Sequence, residues 1–243
     1  MSENKPSVGR REKSFEDLIR LIQPRQIVEF GSWEGRSCIA FLDIAYEFGL
    51  TTKILCVDTW LGSSEHWGNK LPNTEWSIEH LRIEDGEPQV IKTFKENIHG
   101  AGYSQHVSIL RCPTEYSSKY LMKHYYSADL IYIDASHEFR AVLCDLEIAK
   151  KSFMSIYISG DDFLWPGVRK AVARFALKER SWVLIGPNGS SWLVLSKSKK
   201  YLADEFSNTG WIQRGPFLIY VKEVIANFLN RTKHLIKLAI LKK

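Results

Sequence analysis

The run Ile27-Val28-Glu29-Phe30 reads as a strand that stops abruptly at Gly31, and a helical pattern resumes at Ser37 and continues through Phe48. Strand, tight turn and helix therefore follow one another directly. Gly31 allows a sharp turn and close backbone approach, and Gly35 relieves packing where the helix begins. A strand-loop-helix of this kind holds either a nucleoside with an amino-acid tail or a dinucleotide. The dinucleotide fingerprint GxGxxG needs a glycine where Trp33 stands, and a bulky side chain there obstructs a pyrophosphate. A nucleotide-dependent oxidoreductase is thereby disfavoured.

The remaining chain repeats the same grammar. Strands are expected at 53–57, ending in Asp58, at 106–110, and at 128–133, ending in Asp134. Another covers 153–159 and ends in Gly160-Asp161-Asp162. Helices are expected at 37–48, 89–98, 138–150 and 166–178, the last with Pro166 in a favourable first-turn position. Ser14 and Asp17 read as a capping box opening a helix through Leu18, Leu21 and Ile22, which Pro24 ends. Two last strands, 181–185 and 191–195, are joined by the hairpin signal Gly186-Pro187-Asn188-Gly189-Ser190. The expected fold is α/β: a doubly wound, Rossmann-like, mostly parallel seven-stranded sheet with helices on both faces and an antiparallel terminal hairpin strand at its edge. Ligands in such sheets collect at the carboxyl ends of the strands, where the polar clusters of this chain fall.

A length of 243 residues suits one sizeable α/β domain. The net charge of +5 resides after residue 221, where six basic residues face one acidic residue, Glu223; residues 1–221 carry 27 of each sign. A body without basic excess argues against a nucleic-acid partner. Cys38, Cys56, Cys112 and Cys144 form no CxxC pair and read as reduced thiols, which with the absence of a signal-like or membrane-spanning stretch predicts a cytoplasmic protein.

Asp58, at a strand end, is positioned to accept hydrogen bonds from both hydroxyls of a ribose; the plainer alternative is that it caps its turn. Asp134, Asp161 and Asp162 come from the ends of two strands that should be neighbours. Three converging carboxylates repel unless a cation neutralises them or one binds a proton. A hard divalent ion, Mg2+ before Mn2+ or Ca2+, would satisfy oxygen ligands and could lower the pKa of a bound hydroxyl. His137, three residues after Asp134, can turn toward the same cleft and accept that proton near pH 7. The plainer readings are helix caps for the Asp pair and a surface role for the histidine.

Taken together, VEFGSWEGRS, ILCVDTW, DLIYIDASH and ISGDDF followed by WPGVRKAV resemble the class I S-adenosylmethionine-dependent methyltransferases, over about residues 25–196. The resemblance is nearest to the metal-dependent branch that methylates macrolide sugars and aminocoumarins. It implies S-adenosyl-L-methionine as cofactor, with Glu29 at or near the methionine ammonium and Gly31, Ser32, Trp33, Gly35 and Ser37 lining its site. Asp58 and Trp60 would surround ribose and adenine, Cys112 and Thr114 would bracket the adenine, and Asp134 would also border the cofactor. It further implies Asp134, Asp161 and Asp162 as metal ligands and His137 as the catalytic base, in an O-methyltransferase acting on a hydroxyl of a sugar-containing or other small molecule. A metal-independent methyltransferase, and a non-catalytic cofactor-binding partner of the same fold, are the alternatives.

The irregular stretch from Trp60 through Trp67 to Trp76, rich in tryptophan and glycine, is expected to cover the strand ends, with Trp165 as a further wall. The rings either stack on a substrate or pack the loop onto the domain. Residues 1–221 are expected to form the methyltransferase domain, with the substrate cover at about 60–88. Residues 222–243 would add a basic amphipathic helix that docks on the domain, joins a homo-oligomer or touches a membrane surface.

Overall fold

The computed structural model describes residues 11–68, 77–123, 127–153, 157–226 and 229. One eight-stranded sheet organises them, in the order β10-β8-β9-β7-β6-β1-β2-β5. Strands β1 (Gln26–Phe30), β2 (Lys53–Asp58), β5 (Val107–Arg111), β6 (Leu130–Ile133) and β7 (Tyr157–Gly160) are mutually parallel. β1 and β6, at the centre, are almost wholly buried, as strands covered by helices on both faces must be. A separate exposed hairpin, β3 (Ile83–Glu84) and β4 (Glu87–Pro88), turns at Asp85-Gly86, both with positive φ. Asp-Gly is the residue pair such a turn favours.

One face of the sheet carries α1 (Lys13–Ile22), α2 (Arg36–Glu47), α4 (Val90–Gly100) and α8 (Lys200–Asn208), around a core that includes Phe15, Phe41, Phe94 and Phe206. The other carries α5 (Thr114–Lys123), α6 (Phe139–Ser152) and α7 (Pro166–Lys178), with Leu121, Leu146 and Phe175 beneath them. The short helix α3 (Ser64–Trp67) lies in the loop after β2.

The terminal hairpin differs from expectation in its placement. β8 (Ser181–Ile185) and β9 (Trp192–Ser196) pair antiparallel, but β9 folds inward against β7 and leaves β8 outside it. Burial explains the choice: Trp192 to Leu195 are all buried, and a strand buried on both faces belongs between two neighbours. β10 (Ile212–Arg214) then pairs with β8 as a short, exposed edge strand. The sheet thus has eight strands rather than seven.

Three further expectations change. α1 is not opened by a capping box: Ser14 and Asp17 are both buried inside it, and Asp17 accepts hydrogen bonds from Lys13 Nζ (3.0 Å) and Trp211 Nε1 (3.1 Å). Asp17 is a tertiary anchor for the chain after α8. α5 and α8 were not anticipated, each being short, with few apolar residues turned inward. Helical backbone runs over residues 216–226, across the expected boundary at 221, and Glu223 is buried against Arg169 Nε at 2.7 Å. The face carrying Ile219 and Glu223 therefore turns to the domain, and Ile225 is exposed. Trp76, Phe228 and residues 230–243 lie outside the described residues. No helix among the described residues is long and apolar enough to cross a membrane.

Candidate active site

A cavity of about 660 Å3 opens along the carboxyl ends of β7, β6, β1, β2 and β5, within the range of small-molecule sites. Its central wall is the loop after β1. Gly31 adopts φ +83°, and a Cβ there would lie 2.2 Å from the carbonyl oxygen of Asp134, so only glycine lets β1 and β6 close at their ends. Trp33 also holds a positive φ, +44°. Its ring stacks on His66 (centroids 4.5 Å apart), and its carbonyl accepts a hydrogen bond from Trp60 Nε1 (2.8 Å). These contacts hold a bulky residue in a conformation that glycine adopts freely.

Asp58 organises the same loop. Its Oδ2 accepts the backbone N–H groups of Ser32 (2.8 Å) and Trp33 (2.9 Å), and its Oδ1 accepts that of Trp60 (2.7 Å). The carboxylate lines the cavity but has spent most of its acceptor capacity on the backbone, leaving room for one further donor more readily than two. Trp60 itself is fully buried against Phe94 and does not reach the cavity wall. It shapes the loop from below.

Gly31, Ser32, Trp33 and Ser37 line the cavity, whereas Gly35 and Glu29 do not. Glu29 is fully buried behind Ser37, whose Oγ donates to it at 2.5 Å, and the Cys56 thiol donates at 3.6 Å. Burial pushes its carboxyl above the usual range. Ser37, not Glu29, presents the polar atom at this point of the wall. Cys38 and Cys56 lie beside Glu29 with ligating atoms all within 4.8 Å, and all four cysteines are free.

At the β6/β7 end, Asp134, His137 and Asp162 line the cavity together. His137 Nε2 and Asp162 Oδ2 share a hydrogen bond of 2.8 Å, and Nδ1 faces Glu65 Oε1 at 3.4 Å. The imidazole lies flat on Trp165, with centroids 4.4 Å apart and planes 9° from parallel. Burial alone would lower the His137 pKa, but the hydrogen bonds and charges of Asp162 and Glu65 outweigh it and raise the net value. Asp134 is driven well above the ordinary carboxylate range, first by burial and then by the charges of Asp162 and Asp161. Asp161 stands off the cavity wall, and its buried Oδ1 has no hydrogen-bond partner. The oxygens of the three aspartates do not all come within 4.8 Å of one another.

Glu65, His66 and Arg36 are wall residues that sequence reasoning did not single out. Glu65 and His66 sit in α3, whose short length gives no periodic signal. Trp165 lines the cavity, while Trp67 is half exposed and donates to the Leu61 carbonyl (2.7 Å). At the far, β5 end the wall is formed by Cys112 and Thr114, joined by Glu115 and by α6 residues including Asp145.

A methyltransferase-domain family model matches residues 28–154, more than half of the chain, and the chain belongs to that family. Its fold and family define a class I S-adenosylmethionine-dependent methyltransferase. The calicheamicin methyltransferase CalS11 matches with a TM-score of 0.55 at 18% identity, over 76% of this chain and 78% of that one. The O-methyltransferase NovP gives 0.56 at 15%, over 76% and 79%. The S-adenosylhomocysteine-bound methyltransferase PaMTH1 of Podospora anserina gives 0.52 at 16%, over 81% and 80%. No curated protein sequence matches the chain.

Proposed function

We propose that the protein transfers the methyl group of S-adenosylmethionine to a hydroxyl oxygen of a small metabolite, a sugar or a ring with adjacent hydroxyls. The observation that carries this reading is the grouping of Asp134, His137 and Asp162 in the cavity whose neighbouring wall is the glycine loop. A sulfonium nucleoside lying along that loop would direct its methyl group toward the acidic corner. The methyl C–S bond breaks as a C–O bond forms; sulfur keeps the electron pair, and the hydroxyl proton passes to His137.

The surroundings of His137 suit that role. Asp162 and Glu65 stabilise the imidazolium that results, making the neutral ring a stronger base, and Trp165 fixes its plane. A divalent cation would answer the same corner: burial and then the charges of Asp162 and Asp161 raise the Asp134 carboxyl, and the buried Asp161 Oδ1 lacks a partner. Asp134, Asp161 and Asp162 would hold it, and when bound it would lower the pKa of a substrate hydroxyl. The spread of the three carboxylates favours a second reading, in which the His137–Asp162 pair acts without metal.

The test is transfer of labelled methyl from S-adenosylmethionine to a panel of sugars, glycosides and catechols, with Mg2+ or with excess EDTA. Turnover with Mg2+, lost in EDTA and in Asp161→Asn, is the expected result. Turnover indifferent to EDTA selects the metal-free reading. Transfer only to nitrogen or carbon acceptors would defeat both.

A further inference from the structure

Asp145 projects from α6 into the β5 end of the cavity, and it is the buried polar group there that the fold leaves unanswered. It is only 5% exposed, yet no hydrogen bond to it comes from any described residue, although it forms part of the cavity wall. Ala141, one turn earlier on the same helix face, and the preceding residue Cys144 line the cavity with it, as do Cys112, Thr114 and Glu115. Burying a carboxyl without a partner costs stability, so a native protein that keeps one has a use for it. Nothing on the protein side repays the cost. A ligand in the cavity can.

The order of the cavity identifies which part of the ligand arrives. Along the strand ends from β7 to β5 come the acidic corner, the glycine loop, Asp58 and then this pocket. With the sulfonium near the acidic corner and the ribose beside Asp58, the base reaches the pocket under Asp145. We infer that Asp145 reads the purine of the cofactor by accepting a hydrogen bond from its exocyclic amino group. This assignment rests on the methyltransferase reading and adds a specificity-determining residue to it.

The chemistry of the pocket agrees. The wall offers small or apolar surface from Ala141, Cys112 and Cys144 for the faces of a base, and one carboxyl for its edge. Burial, and then the charge of Glu115, raise Asp145 to about 7. Near neutral pH much of it is a neutral acid, whose carbonyl oxygen accepts from the amino group while its O–H donates to the adjoining ring nitrogen. Two parallel bonds of this kind fix the orientation of the base as well as its identity.

Calorimetric titration of two ligands separates the possibilities: S-adenosylhomocysteine, and the analogue whose purine lacks the exocyclic amino group. Wild type should bind the first about tenfold more tightly, the worth of one buried hydrogen bond. In Asp145→Leu the two should bind within about twofold of each other, while Asp145→Asn, whose amide oxygen still accepts, should keep most of the preference. Both variants should melt at or above wild type, because an unpaired buried carboxyl has gone; a merely structural Asp145 would lower the melting temperature instead. If Asp145→Leu does not fold, Asp145→Ala carries the same comparison. An undiminished preference in a folded Leu or Ala variant overturns the assignment. Absence of binding by either ligand to wild type overturns it by a distinguishable route, because the methyltransferase reading then fails as well.

Discussion

At the scale of single residues, the chemistry follows from what each carboxyl is asked to face. Asp58 faces backbone N–H groups, Asp162 faces an imidazole, Asp134 faces other carboxylates, and Asp145 faces the cavity. Asp145 gives a measurable pH signature. Its folded pKa of about 7 lies above the ordinary 3.8. Between those values the folded state binds more protons than the unfolded state, so stability falls as pH rises. The contribution is complete below about pH 4 and is lost by about pH 7, and amounts to something on the order of 3–4 kcal/mol. Urea unfolding of wild type and Asp145→Asn from pH 4 to 8 checks this: the variant should lack that part of the decline. Parallel curves would show that Asp145 is ionised without penalty. Such perturbation could not be read from the sequence, in which Asp145 is one more acidic residue on an amphipathic helix.

At the scale of elements, the link between the C-terminal helix and the acidic corner has consequences for the site. Arg169 on α7 donates to Glu223 Oε1 (2.7 Å) and to the carbonyls of Phe163 and Leu164, which follow Asp161-Asp162 directly. The helical segment 216–226 therefore braces the loop that carries Asp162. Glu223→Ala should cost about 1–2 kcal/mol, less than a fully buried pair because Arg169 remains 26% exposed. Hydrogen exchange at residues 162–165 should quicken with it. Unchanged exchange there would show that the segment only rests on α7. The sequence showed a basic amphipathic helix but not which face docks, because the contact is made by an ion pair and Ile219.

At the scale of the whole molecule, one ligand should bridge elements from both halves of the sheet. S-adenosylhomocysteine at about one hundred times its Kd should stabilise the fold by about 2.7 kcal/mol. For a chain of this size that raises Tm by roughly 5–10 °C. Scanning calorimetry with the ligand and with adenosine alone at equal concentration reads it. Equal shifts would show that the amino-acid tail gains nothing from the loop of Gly31 to Ser37.

Much of the fold was legible because its signals are local. Continuous apolar strands ending in Gly or Asp, a proline opening α7, and the Asn188-Gly189 turn each depend only on neighbouring residues, and each lies within a few residues of its observed element, the largest shift being the start of β7 at Tyr157. The acidic ends of β2, β6 and β7 and the loop after β1 likewise announced a site at one edge of the sheet. What depends on residues far apart in sequence was decided by tertiary packing: β9 inserting beside β7, Trp60 turning under the loop, Glu29 retreating behind Ser37, and Asp145 entering the cavity. The physical reason is that period and propensity specify which face of an element is buried, whereas the partner on that face, and the field it imposes on a charge, exist only once the elements have met.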